Sequence, residues 1–145
     1  MTKEGSDTLI EREGLNLIFK WTSIILTIFV FIVICFVTYL TYSANHLEIE
    51  EGKIKVTGHL GTEIAIEDVQ VIELHASIPN IQRKVGGASM FNRKKGQFLL
   101  ENLGRGHLYI HLNKPPFIYI ESEDRYIYIN STDPTVTQEW YDALK

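Results

Sequence analysis

HLYIHLNKPPFIYIESEDRYIYIN, residues 107–130, holds three short runs in which apolar or aromatic side chains recur at every second position. A period of two is the mark of strands, because successive side chains leave a strand on opposite sides. The runs, 107–112, 116–121 and 125–130, are rich in Ile, Tyr and Phe, which suit a pleated sheet. In the first, Leu108, Ile110 and Leu112 are expected to face a core, with His107, Tyr109 and His111 turned to solvent. Lys114-Pro115-Pro116 and Ser122-Glu123-Asp124 separate the runs. Such short breaks favour consecutive antiparallel hairpins over parallel crossovers.

The same period extends upstream through 53–58, 62–66, 69–75 and 96–101, with a short lead-in strand at 47–50. Turn residues punctuate it at Glu51-Gly52, Gly58-His59-Leu60-Gly61 and Gly104-Arg105-Gly106, and residues 76–95 form a long connection. Downstream the pattern changes. Asp133 before Pro134 makes an N-cap and first-turn pair, with Thr135 and Gln138 as an alternative capping box. Val136, Trp140 and Leu144 then recur at helical spacing with Tyr141 alongside. The expected fold is therefore all-β with a C-terminal helix. Seven antiparallel strands closed by one amphipathic helix is the layout of a PH-like (pleckstrin-homology-like) seven-strand split barrel, whose open end Trp140 would plug. Immunoglobulin-type sandwiches and lipocalin-like barrels account less well for a helix as the last element.

Ahead of this domain lies an uncharged run, 21–42 (WTSIILTIFVFIVICFVTYLTY), in which 17 of 22 residues are apolar or aromatic. As a helix it would measure roughly 33 Å, enough to cross a hydrocarbon core with a little tilt. Its one Ser and four Thr can bond back to carbonyls one turn earlier, and Trp21, Tyr39 and Tyr42 mark its ends, where aromatic rings favour the headgroup layer. A cleavable signal peptide would carry a shorter apolar region and a small residue where Tyr42 stands. Cys35 follows the bulky Ile34 deep in the run, which does not suit a lipoprotein. The chain thus divides into a polar N-terminal tail 1–20, a transmembrane helix 21–42, a linker 43–46 and a domain 47–145. Lys20 and Arg12 flank the N-terminal side while Lys53 and Lys55 lie further off on the other, which leans the N-terminus inside and the domain outside the cell membrane.

The quoted words of the sequence add a resemblance. Ile78-Pro79 with Arg83, Gly86-Gly87, Lys95-Gly96 with Phe98, Phe117-Ile118 with Ile120, Tyr126-Ile127, and the ending Asn130, Asp133, Thr137, Trp140-Tyr141, Leu144 resemble the bacterial PH-like domains found C-terminal to membrane segments. The resemblance covers most of residues 53–145. It implies a PH-like fold in a small membrane protein, and no catalytic residues.

Chemistry is sparse. The single Cys excludes an intramolecular disulfide and a CxxC pair. The five His (46, 59, 75, 107, 111) form no HExxH or HxH arrangement, and His107 and His111, four apart on a strand, would stand roughly 13 Å from each other. They read as solvent-facing, and no metal or cofactor is expected. No GxSxG, P-loop or close acid pair marks an enzyme. The Asn130-Ser131-Thr132 sequon matters only if the domain is translocated in a glycosylating cell.

One window stands out electrostatically. From Arg83 to Arg105 six basic residues (Arg83, Lys84, Arg93, Lys94, Lys95, Arg105) meet one acid, Glu101, in a chain whose net charge is −4. Arg83, Lys84, Arg93, Lys94 and Lys95 are the candidate contacts for an anionic ligand, a lipid headgroup or an acidic partner segment. The plainer reading is a solvated loop that keeps a β-rich surface soluble, with Arg83 bonding loop carbonyls. The lipid motif of eukaryotic PH domains is missing, since the first hairpin turn lacks basic residues and the Ser122-Glu123-Asp124 turn is acidic. An acidic pI near 5.7 and a membrane anchor argue against nucleic acid. The leading expectation is a non-enzymatic, membrane-anchored interaction or scaffold module for another membrane-associated protein. Anionic-lipid or phosphate sensing through the basic loop 83–95 is the alternative, and an enzyme without a recognisable motif comes last.

Overall fold

The computed structural model describes residues 3–42, 44–58 and 60–145, with backbone alone for 3–11 and 40–42. Ser43 of the expected linker and His59 of the first hairpin turn lie outside the described residues, as do Met1 and Thr2. The chain separates into two units, residues 1–40 and 41–145.

The first unit is helical. One unbroken helix, α1 (Lys3–Tyr42), takes in both the polar tail and the apolar run. Within it Arg12–Tyr39 is long and apolar enough to cross a membrane. Its side chains are exposed from Arg12 to Tyr39, as they must be in a helix whose apolar surface has no protein partner. The Thr hydroxyls behave as their chemistry requires. Thr22 Oγ1 donates to the carbonyls of Ile18 and Phe19, Thr27 to Ser23 and Thr38 to Ile34, at 2.8–3.0 Å. No hydroxyl among these needs water.

The second unit is mostly β-sheet and ends in a helix. Strands β1 (His46–Glu50), β2 (Lys53–Thr57) and β3 (Thr62–Ala65) form a three-stranded antiparallel meander. Strands β4 (Val69–His75), β5 (Ile81–Met90), β6 (Arg93–Leu100), β7 (Gly104–His111), β8 (Phe117–Ser122) and β9 (Tyr126–Ile129) form a second sheet in the order β4-β8-β9-β7-β6-β5. Helix α2 (Pro134–Leu144) follows, with Asp133 as its N-cap accepting from the Thr135 amide at 2.9 Å.

Three expectations change here. The 76–95 connection is not one loop, because β5 occupies Ile81–Met90 and pairs antiparallel with β6. Its sequence, IQRKVGGASM, hides the strand. An edge strand needs few apolar residues, and register shifts at Ile81/Arg83 and Lys84/Gly86 break the alternation. Second, the consecutive-hairpin scheme fails at one point. β9 inserts between β7 and β8, so β7 and β9 run parallel while β4 pairs with β8. The described residues therefore hold nine strands in two sheets, where seven strands and the lead-in at 47–50 were expected, and β1 is that lead-in. Third, Tyr109 does not face solvent; it is 0 % exposed.

The third change has a general cause. Both faces of the larger sheet are covered. On one face Tyr109, Ile118, Ile120, Ile127 and Ile129 pack with Ile54, Val56 and Ile64 of the meander, and with Trp140, Tyr141 and Leu144 of α2. On the other, Phe98, Leu100, Leu108, Ile110, Phe117, Tyr119, Tyr126 and Tyr128 gather with Val71, Ile78 and Ile81. The alternation in FIYIE and YIYI is aliphatic against aromatic, not apolar against polar. Both sets bury, and all four residues of β9 do so.

Asn130, just past β9, ties the parallel arrangement together. Its side chain is 0 % exposed. Oδ1 accepts from the His111 amide at 2.8 Å, while Nδ2 donates to the carbonyls of His111 (3.1 Å) and Lys114 (2.6 Å). One carboxamide thereby satisfies the end of β7 and the segment that crosses to β8. The sequon asparagine is consequently sealed inside the folded domain.

Candidate functional site

The five basic residues singled out by sequence do not converge. Alternate residues of β6 leave it on opposite sides, so Arg93 and Lys95 point one way and Lys94 the other. Arg93 is 5 % exposed and Lys95 1 % exposed. Arg93 Nη2 donates to Asn45 Oδ1 at 3.5 Å, and burial, followed by the Arg93 charge, lowers the Lys95 pKa from its ordinary value. Lys94 is half-buried and bends back on its own turn, donating to Ser89 Oγ (2.9 Å) and the Phe91 carbonyl (3.0 Å). Only Arg83 and Lys84, on the edge strand β5, stand exposed. Arg105, at the start of β7, is exposed as well.

The histidines also part company. His46 is exposed, whereas His75, His107 and His111 are half-buried. Burial lowers the pKa of His107 and His111, with Arg125 adding to the first and Arg93 and Lys114 to the second. Among the described residues no group of three or more His, Cys, Asp or Glu is placed to hold a metal.

A different set of residues builds a groove. Tyr119 on β8 and Tyr126 and Tyr128 on β9 share one face because they sit at period two in antiparallel register, Tyr119 opposite Tyr128 and Glu121 opposite Tyr126. His75 at the end of β4 joins them, its ring nearly parallel to Tyr119 (centroids 5.2 Å apart, planes 12°) and tilted to Tyr128. Tyr119 and Tyr128 meet at 4.9 Å and 45°. Beside this aromatic floor opens a cavity of about 480 Å³, walled by Ile78, Pro79 and Leu103, with Glu101 and Ser77 on its rim.

Hydrogen bonds fix the floor. His75 Nε2 lies 2.8 Å from Glu73 Oε2, and His75 Nδ1 lies 3.0 Å from the Tyr128 hydroxyl. With the proton on Nε2, the imidazole donates to the carboxylate and accepts from the phenol, and all three groups are satisfied. The Tyr119 hydroxyl donates to Glu121 Oε2 at 3.0 Å, and Asn80 Nδ2 donates to Glu101 Oε2 at 2.9 Å. Burial raises the Tyr128 pKa to about 12, and burial with the Glu121 hydrogen bond raises that of Tyr119, so both phenols stay protonated donors at neutral pH.

Glu73, His75 and the Tyr128 hydroxyl form a hydrogen-bonded line, and the raised pKa of Tyr128 keeps the proton on the phenol at neutral pH. Ser77 makes no hydrogen bond to His75 among the described residues. The groove presents the half-buried His75 ring above the buried tyrosines, an apolar wall and three carboxylates, Glu73, Glu101 and Glu121, on or next to the lining. The sequence carries part of the signal for this floor, since Tyr126 and Tyr128 alternate with isoleucines and share a face of their strand, while the pairing that brings Tyr119 to them comes from the register. His75 was not legible, because its approach to Tyr128 spans 53 residues. No family model matches the chain, no curated protein is significantly similar to it, and no solved structure is significantly similar to its fold.

Proposed function

We propose that the protein is a single-pass membrane protein whose β-domain is a non-enzymatic interaction module of PH-like type, docking a partner through the Tyr119–Tyr128–His75 groove. The groove is the observation that carries this reading. Its floor is held by hydrogen bonds and ring stacking, so it is preformed, and its walls are apolar with a few placed polar groups, the composition of a binding site. The carboxylates around it select a partner segment that combines aliphatic and basic side chains. Placing a helix fit to span a bilayer before this domain raises the effective concentration of membrane-bound partners, and weak docking then suffices.

The PH-like reading draws support from the terminal helix laid against a mostly antiparallel sheet; the β7–β9 parallel pair is a departure from that plan. Anion sensing through residues 83–95 is the weaker reading, because Arg93 and Lys95 are turned inward. The domain sits outside the cell membrane with the N-terminus inside, as the Lys20 and Arg12 flank suggests. The test is co-purification of the full chain from detergent extracts, comparing wild type with Leu103→Glu. The exposed Leu103 wall can accept this change without disturbing the core. A partner held by wild type and reduced about tenfold, equivalent to ~1.4 kcal/mol, supports the groove. An unchanged set of partners sinks it.

A further inference from the structure

Phe91 occupies an unexpected place. It is the first of two residues in the β5–β6 turn, between the paired Met90 and Arg93. Its backbone φ is +46°, a conformation that favours Gly or Asn and that aromatic residues rarely adopt. Its side chain is 84 % exposed, more than any other described large apolar residue, those of α1 included. Neither core packing nor turn chemistry accounts for a phenyl ring here. A contact outside the domain would account for it.

The surroundings point to a lipid surface. Two residues from Phe91, Arg93 donates to Asn45, and Asn45 stands three positions past the end of α1, at most about 11 Å of extended chain. The turn end of this hairpin therefore lies beside Asn45, in the chain that follows the apolar helix. A second turn lies beside it too: a Cβ at Gly58 would fall 3.6 Å from the Ala44 carbonyl oxygen and 3.2 Å from Lys95 Nζ. That turn also presents an apolar residue at positive φ, Leu60, 43 % exposed. Lys94 completes the tip by anchoring its ammonium on the Phe91 carbonyl, one residue layer behind the ring. An aromatic ring foremost with a cation just behind it matches the interfacial layer of a bilayer, where rings sit among headgroups and ammonium groups meet phosphates.

We infer that the β5–β6 hairpin is a membrane-dipping tip: Phe91 inserts into the interfacial layer of the same bilayer that α1 spans, fixing the orientation of the β-domain on the membrane. The inference rests on α1 being transmembrane. It differs from headgroup recognition by a basic pocket, because the inserted group is apolar and the buried Arg93 and Lys95 take no part as ligands. The device works on either side of the membrane.

The experiment uses the full chain in phosphatidylcholine vesicles, with Cys35→Ser removing the native thiol and single cysteines carrying an environment-sensitive fluorophore. A probe at Val33→Cys reports the span, one at Asn92→Cys reports the tip with Phe91 intact, and one at Asn102→Cys serves as an aqueous reference. Lipids bearing a quencher near the headgroup are expected to quench the residue-92 probe at least threefold more than the residue-102 probe. Adding Phe91→Asp should remove that excess while the residue-33 probe stays quenched by deep-chain lipids. Equal quenching at 92 and 102, or quenching at 92 that survives Phe91→Asp, overturns the insertion. Loss of quenching at 33 overturns the span instead, so the two failures are told apart.

Discussion

At the scale of single residues, the domain depends on a few polar groups that it has sealed away. Asn130 is the clearest. Removing its carboxamide strands the His111 amide and two carbonyls, and stranded buried groups cost about 1–3 kcal/mol each before relaxation. Asn130→Ala is expected to lower stability by ~3 kcal/mol in chemical denaturation, whereas Ser131→Ala, beside it, should cost well under half as much. His107 and His111 set a pH dependence. Their folded pKa values lie below the unfolded value, so the neutral forms belong to the fold, and stability is complete above about pH 6.5 and falls as pH drops toward the folded values. Melting temperature should therefore decline between pH 7 and pH 5, and His107→Gln should shallow that decline. An identical slope in the variant would show that other groups carry it. None of this was legible beforehand. Period two says which residues share a face, but not that a second layer covers that face, and so His107, Tyr109 and His111 read as solvent-facing.

At the scale of elements, legibility follows apolar content. Strands β2, β3, β4, β8 and β9 lie within a residue or two of their sequence positions, because each carries a run of β-branched or aromatic residues. Strand β5 escaped because two register shifts and the Gly86-Gly87 pair erase its pattern. Those glycines are not idle. Gly87 opposes Gly96 on β6, both with strongly positive φ, and a Cβ on Gly87 would run into the Lys95 carbonyl oxygen. Gly87→Ala is expected to destabilise the β5–β6 hairpin, seen as faster amide exchange in residues 81–100, whereas Gly52→Ala, at an open turn, should leave that hairpin unchanged. Helix α2 was readable from its first residue because capping is local chemistry. Asp133→Ala should cost ~1 kcal/mol, measured as a shift in denaturant midpoint at constant slope. The topology could not be read in this way. Which strand lies beside β7 depends on contacts across the fold, and a short break between strands does not reveal that β9 inserts there.

At the scale of the whole molecule, two units differ in build, one a single apolar helix and the other mostly sheet. The helix is long and apolar enough to cross a membrane, every described side chain from Arg12 to Tyr39 is exposed, and Thr22, Thr27 and Thr38 are satisfied by its own carbonyls, as a bilayer would require. The β-domain offers a preformed aromatic groove bordered by carboxylates, with no metal cluster among the described residues. The candidate site was only half legible in sequence. Basic residues announced themselves by composition and proved divided between two faces, while the groove arises from His75, Tyr119 and Tyr128 meeting across three strands. The proposed anchored docking module makes one demand above all others, that the groove touch a partner in the membrane. Site-specific photo-cross-linking in intact membranes measures this directly. A cross-linker at Leu103 should yield a discrete light-dependent adduct with a membrane-associated protein, absent from a cross-linker at Glu139 on the exposed side of α2. Equal adducts from both positions, or none from Leu103, would contradict it.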